Sequence, residues 1–149
     1  GLSLVGAFDL VVGGASSKYT MAYTRAGMTP DGTSSYFIGR HIGLRRMLDL
    51  TLTNRVLDAE TAESWGLVNR VVEDDAVDAA TAELAAELAA GAPFAIGHAK
   101  QVIYNGFEQS LESAGEYEGV MITSAMATAD GQEGIASFIE KRAPKWTGQ

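Results

Sequence analysis

Strand-forming sequence is confined to three short stretches of this chain and helical sequence fills the rest, so the chain holds too few strands to close a sheet around itself. Leu2 to Gly13 is almost entirely apolar apart from Ser3 and Asp9. It reads as a helical turn running into a buried strand over Asp9 to Val12. Tyr19 to Tyr23 reads as a second strand and Leu67 to Val72 as a third. A sheet this small would leave bare edges beside Leu4 to Val12, which implies a partner segment ahead of Gly1.

The helical stretches carry their own start and stop signals. Ser34 to His41 and Gly43 to Thr53 have helical spacing, with Leu44, Met47, Leu48 and Leu52 on one face and Arg45, Arg46 and Asp49 on another. Asp58 caps a helix from Ala59 to Trp65, and Gly66 stops it. The acidic run Glu73-Asp74-Asp75 reads as a solvated cap for a helix from Ala76 to Ala90, where negative charge suits the helix N-terminus. Pro93 opens a helix to about Asn105, and Ser110 caps a long one to about Ala129. Asp130-Gly131 separates that helix from a last one ending near Arg142. The expected class is α/β, with residues 1–72 as one part and the helical residues 73–149 as another.

At 149 residues with 46% apolar content, the chain is long enough for a real core. It contains no Cys, which excludes a disulfide framework, thiol catalysis and cysteine metal sites and fits a reducing, cytoplasmic setting. A formal charge of −8 disfavours nucleic acid and anionic membrane as partners. No apolar run is long enough to span a membrane. No metal cluster, phosphate-cradling loop or dinucleotide fingerprint is present. His41 and His98 stand apart from any carboxylate at ligand or triad spacing and read as structural.

One carboxylate stands out for chemistry. Asp31 lies in Pro30-Asp31-Gly32, directly ahead of a helix and in a setting otherwise uncharged for several residues. Pro-Asp-Gly is a turn signal on backbone grounds, and Asp31 could serve simply as an N-cap for a helix entered at Thr33. If any group here moves a proton, it is Asp31.

Five segments taken in order, Gly1 to Asp9, Ala26 to Gly32, Leu50 to Arg55, Ala59 to Arg70 and Gly134 to Arg142, resemble the crotonase (enoyl-CoA hydratase/isomerase) superfamily along the whole chain. The resemblance implies the C-terminal part of a crotonase-like ββα spiral fold, with 1–72 as the rear of the core and 73–149 as a helical trimerisation region. It also implies that the N-terminal part of the usual domain lies outside this chain. That part would carry most of the CoA cleft and both oxyanion-hole amides, so none falls within the chain and the fragment alone is not expected to be active. The substrate would be an acyl-CoA thioester carrying its own CoA, with no further cofactor and no metal. Trimers or hexamers are the expected assembly.

The resemblance also assigns residues. Hydratases of the family hold two glutamates over the substrate; Ser3 stands at the place of the first and Tyr23 at that of the second. This argues against ordinary hydration. Members that shift double bonds have an acidic residue at the place of Asp31, making it the expected catalytic residue of an enoyl-CoA isomerase. Tyr23, Met28, Ser3 and Lys141 are the expected substrate contacts. Lys141 and Arg142 resemble a C-terminal basic pair that approaches CoA phosphates of a neighbouring subunit. Alternatives remain open: an aroyl-CoA dehalogenase-like hydrolase or a ring-epoxide isomerase with Asp at the same place, an enoyl-CoA hydratase, or a non-catalytic assembly subunit or inactive fragment.

Overall fold

The apolar opening folds as one short helix, α1 (Leu2–Ala7), in a computed structural model that describes residues 1–149. Two compact units follow from the contacts, Gly1–Ala82 and Glu83–Gln149.

In the first unit the chain leaves α1 and enters β1 (Val12–Gly14), β2 (Lys18–Thr20) and a 3-10 turn at Thr24–Ala26. Helices α2 (Ser34–Ile42) and α3 (Leu44–Leu52) come next, then β3 (Val56–Asp58), α4 (Ala59–Ser64), β4 (Arg70–Val72) and a second 3-10 turn at Asp74–Ala76. The strands form two separate pairs. β1 runs parallel to β4 with Val12 opposite Arg70, and β2 runs antiparallel to β3 with Tyr19 opposite Leu57. The parallel pair needs a crossover, and α2, α3 and α4 supply it. Their inner faces bury Ile38, Ile42, Met47, Leu50 and Ala62 with Met21, Leu57, Leu67 and Val68 in one cluster.

Several boundaries differ from the sequence reading. The first strand begins at Val12 and takes in Gly13 and Gly14, while Phe8, Asp9 and Leu10 are exposed connector. Gly13 lies under the Tyr19 hydroxyl, 2.6 Å from where a Cβ would stand, so the absence of a side chain lets the strand sit there. The second strand ends at Thr20, because the chain bends after the buried Met21 to start a 3-10 turn at Tyr23. A short strand at Val56–Asp58 was not legible, having only three residues. Asp58 does cap α4, accepting from the Thr61 N–H at 2.8 Å. The acidic run is more than a solvated cap: the Asp74 carboxylate accepts the Ser16 N–H at 3.0 Å, which ties the turn to the β1–β2 connection, and hydrogen bonding by the Ser16 side chain and then by this N–H lowers its pKa.

Between α2 and α3 the chain turns at Gly43, with φ +82 and ψ 156. Only glycine enters that region at low cost, so the corner depends on this residue. Helix α1 packs on α2. A Cβ on Gly6 would come within 2.6 Å of Ile38 Cγ1, and the His41 ring lies 2.9 Å from the Gly6 carbonyl. A carbonyl can only accept, so Nε2 carries the proton and His41 is a structural donor.

The second unit takes in the later turns of α5 (Val77–Ala89) with α6 (Pro93–Gly106), α7 (Leu111–Ala127) and α8 (Ala129–Glu140). Helix α6 packs on α7 and α7 on α8. Ser110 caps α7 as its sequence suggests. His98 stacks on Phe94 with ring centroids 3.9 Å apart and donates through Nδ1 to the Phe94 carbonyl. The break before the last helix lies at Thr128, not at Asp130-Gly131. Thr128 Oγ1 accepts the Gly131 N–H at 2.9 Å, and both Asp130 and Gly131 belong to the first turn of α8. No helix is long and apolar enough to cross a membrane.

Asp130 is buried because the C-terminal tail folds over it. Its carboxylate accepts the Thr147 N–H at 2.6 Å, the Thr147 hydroxyl at 3.0 Å and the Gly148 N–H at 2.9 Å. Glu133 takes two bonds from Arg142, at 2.5 and 2.8 Å, and one from the Lys145 N–H at 2.9 Å. The Thr147 N–H holds the Asp130 carboxyl below its ordinary range, and the Arg142 hydrogen bond brings Glu133 down to about 2. Both groups hold protons less tightly when the tail is docked. Glu133 therefore stabilises it fully above about pH 4.5, and that contribution is lost as pH falls toward about 2; Asp130 acts in the same direction. Trp146 rests on Gly134, where a Cβ would lie 3.3 Å from its ring, and can report this release. In a Trp65→Phe background, Trp146 fluorescence should change over that acid range, and Asp130→Asn should show the released signal near neutrality. A signal flat to pH 2 would refute this account of the tail.

Candidate active site

Tyr23 opens the 3-10 turn that follows buried Met21, and the turn is latched to the end of α3. Thr24 Oγ1 donates to the Thr51 carbonyl at 2.8 Å, and the Arg25 N–H donates to Asn54 Oδ1 at 3.1 Å. The Met28 and Ala26 N–H groups close back on the Tyr23 carbonyl at 3.0 and 2.9 Å. These bonds fix where the phenol starts. Sequence reasoning missed Asn54 and Thr24 as supports; the Leu50 to Arg55 stretch was legible only as part of a resemblance, and Asn54 at φ +53 is the residue type that tolerates such a turn.

Asp31 is exposed and does not cap α2. The cap position is Thr33, at φ +56, and no side chain bonds into the first turn. What holds the turn is the Asp31 main-chain carbonyl, which accepts from the Ser34 N–H at 3.2 Å and the Ser34 hydroxyl at 2.8 Å. The carboxylate is thereby spared from capping. It accepts the Tyr23 hydroxyl at 2.5 Å through Oδ1.

Ser3, in the first turn of α1, completes the cluster. Its Oγ lies 3.2 Å from the Tyr23 hydroxyl and 3.4 Å from the Asp31 carbonyl. Gly32 makes this approach possible: at φ +59 it adopts a left-handed turn, and a Cβ there would stand 3.0 Å from Ser3 Cβ. Three residues distant in the chain, Ser3, Tyr23 and Asp31, are brought together by α1, the 3-10 turn and the turn before α2.

The remaining expected site residues are placed differently. Met28, three residues before Asp31, is 58% exposed. It offers a free apolar surface and does not bury the carboxylate. On α2, Tyr36 and Phe37 meet edge to face with centroids 5.1 Å apart, and the Arg40 guanidinium lies 3.5 Å from the Tyr36 ring centroid. Lys141 lies in the other unit, exposed at the end of α8 in a left-handed conformation at φ +55. Its neighbour Arg142 is engaged by Glu133 and Glu140, so the two do not present a free basic pair.

Chemically, the cluster is one carboxylate with one oxygen held by a phenol, beside one serine hydroxyl and no second carboxylate. Such a site can carry a proton as base and then acid, or attack an electrophile.

Known proteins bear on this arrangement. Over 141 residues the chain is 32% identical to 1,2-epoxyphenylacetyl-CoA isomerase of Escherichia coli K12, covering 95% of this chain and 54% of that protein. A 4-chlorobenzoyl coenzyme A dehalogenase of Arthrobacter is 33% identical over 141 residues, covering 95% and 51%. The crystal structure of an enoyl-CoA hydratase from Bacillus anthracis superposes with a TM-score of 0.94 at 29% identity, over 100% of this chain and 58% of that one. The chain thus spans about half the length of the curated relatives it matches, and the helix-rich α/β architecture agrees with the crotonase-type fold of these neighbours. The family model described as enoyl-CoA hydratase/isomerase matches residues 1–149, and the chain belongs to that family.

Proposed function

We propose that the full-length protein processes acyl-CoA thioesters and, specifically, shifts a double bond in an enoyl-CoA by a carboxylate-mediated 1,3-proton transfer. The observation that carries this reading is a lone carboxylate, Asp31, held by Tyr23 beside Ser3, two residues that the resemblance sets at the places of the hydratase glutamates. Hydration needs groups to position and activate water. One carboxylate is sufficient to take a proton from C2 and return it to C4 on the same face.

In the proposed step, Asp31 forms an O–H bond as the C2–H bond of a 3-enoyl-CoA breaks, and the electron pair passes into a dienolate. The O–H bond then breaks as C4–H forms, leaving a 2-enoyl-CoA and the carboxylate restored. Donors to the dienolate oxygen would be the family's two backbone amides, which the resemblance places outside this chain; losing one such donor typically costs on the order of 100-fold or more. Exposed apolar residues such as Ile122 and Met126 on α7 and Phe138 on α8 supply surface for the trimers proposed with this function, and sedimentation of the full-length protein reads the mass directly.

A second reading is favoured by the dehalogenase relative: the same carboxylate would attack an aryl carbon of an aroyl-CoA. Incubating the full-length protein with 3-enoyl-CoA and, separately, 4-chlorobenzoyl-CoA decides between them. Formation of 2-enoyl-CoA supports the isomerase; chloride release without isomerisation replaces it with the hydrolase; turnover of neither overturns both and leaves the ring-epoxide isomerase, the enoyl-CoA hydratase and the assembly subunit.

A further inference from the structure

The direction of the protons in the site cluster can be assigned. Tyr23 has a single hydroxyl proton, and at 2.5 Å from Asp31 Oδ1 that proton is committed to the carboxylate. At the 3.2 Å contact between Ser3 and Tyr23, Ser3 is therefore the donor. Ser3 reaches no carboxylate itself; its one hydroxyl proton is shared between the Tyr23 oxygen and the Asp31 main-chain carbonyl, to which it donates at 3.4 Å. All of these bonds run toward Asp31: from Ser3 through Tyr23 to the carboxylate, each member polarising the next, and from Ser3 directly to the Asp31 main-chain carbonyl. The path through Tyr23 ends on one carboxylate oxygen. Within this chain Oδ2 receives no bond.

We infer that Tyr23 and Ser3 are positioning residues for Asp31: they hold Oδ1 and the carboxylate plane, so that Oδ2 alone takes the proton and returns it. This deepens the isomerase reading and rests on it. Tyr23 and Ser3 thereby pass from expected substrate contacts to groups that act through Asp31. The physical need is specific to a 1,3-shift. One oxygen must serve two carbon atoms on one face, and a carboxylate free to turn about its Cβ–Cγ bond would present the proton in the wrong plane for much of the time. The surroundings fit a fixed geometry. The turn carrying Tyr23 is latched by Thr24 to Thr51 and by Arg25 to Asn54, and Ser3 is seated against Gly32 with no room for a Cβ between them.

The test is a double-mutant cycle on the full-length protein with 3-enoyl-CoA as substrate. Tyr23→Phe should lower kcat by on the order of 10- to 100-fold with KM within about twofold, since misplaced reacting groups cost rates of that size. Ser3→Ala should lower kcat by about threefold. Because Ser3 reaches the carboxylate only through Tyr23, the double variant should lie close to Tyr23→Phe alone. A Tyr23→Phe enzyme with unchanged kcat, a loss confined to KM, or single effects that multiply in the double variant would overturn the inference. An activity-independent arm keeps its failure distinct from that of the isomerase reading. The thermal-unfolding shifts of Tyr23→Phe and Asp31→Ala should be less than additive, and additive shifts would show that the two side chains are not coupled. If the wild type fails to isomerise 3-enoyl-CoA while that coupling is present, the reaction assignment falls and the Tyr23–Asp31 pairing stands.

Discussion

Replacing Asp31 by Asn should lower the rate of double-bond shift by on the order of 10²- to 10⁴-fold, the span that a positioned general acid–base group contributes. The substitution is chosen because it removes basicity and little else. An amide oxygen can still accept the Tyr23 hydroxyl at the position of Oδ1, and the Asp31 main-chain carbonyl still holds Ser34. The residue is exposed and does not cap α2, so the unfolding midpoint should be essentially unchanged. The measurement follows product and deuterium incorporation in D₂O, wild type against variant, on the full-length protein. Wild-type turnover in Asp31→Asn would remove Asp31 as the proton carrier. Loss of turnover with KM preserved would tie the defect to the proton transfer and not to binding.

How much of this was legible in the sequence depended on the length scale of each signal. Helices announced themselves through periodicity and caps: Asp58, Pro93 and Ser110 start helices where their side chains or ring predict. Three-residue strands offer no period to read, so Val56–Asp58 carries no strand signal and the strand expected over Tyr19 to Tyr23 ends early, at Thr20. Asp31 stands out by its turn, yet the same turn chemistry allows it to be a cap; only the geometry shows that Thr33 takes the cap position and that the carboxylate is engaged by Tyr23 instead. The meeting of Ser3 with Tyr23 was out of reach of spacing arguments, because it depends on α1 packing on α2 through Gly6 and Ile38. Asp130 misled for a related reason. Asp-Gly reads locally as a break, and its actual partners, Thr147 and Gly148, arrive from the far end of the helix.

The contact of Gly6 with Ile38 also predicts how stability and activity separate. Ile38 and Leu57 are both almost wholly buried, at 0% and 2% exposure. Truncating either to Ala removes apolar contacts and leaves a cavity, at a cost of about 2–5 kcal/mol in unfolding free energy. That is a large part of the 5–15 kcal/mol typical of a domain, so both variants should be measured in guanidinium titrations at low temperature. Their effects on rate should differ. Ile38 is the side chain against which α1 is seated, 2.6 Å from where a Gly6 Cβ would be, and α1 carries Ser3. Leu57 lies on β3, which supplies no member of the Ser3, Tyr23 and Asp31 cluster. Where both variants remain folded, Ile38→Ala should lower kcat severalfold, about as Ser3→Ala does, and Leu57→Ala should leave it near wild type. Equal losses of rate would mean that the cluster responds to core stability in general; a selective loss in Ile38→Ala would show that the seat of α1 sets the geometry of the site.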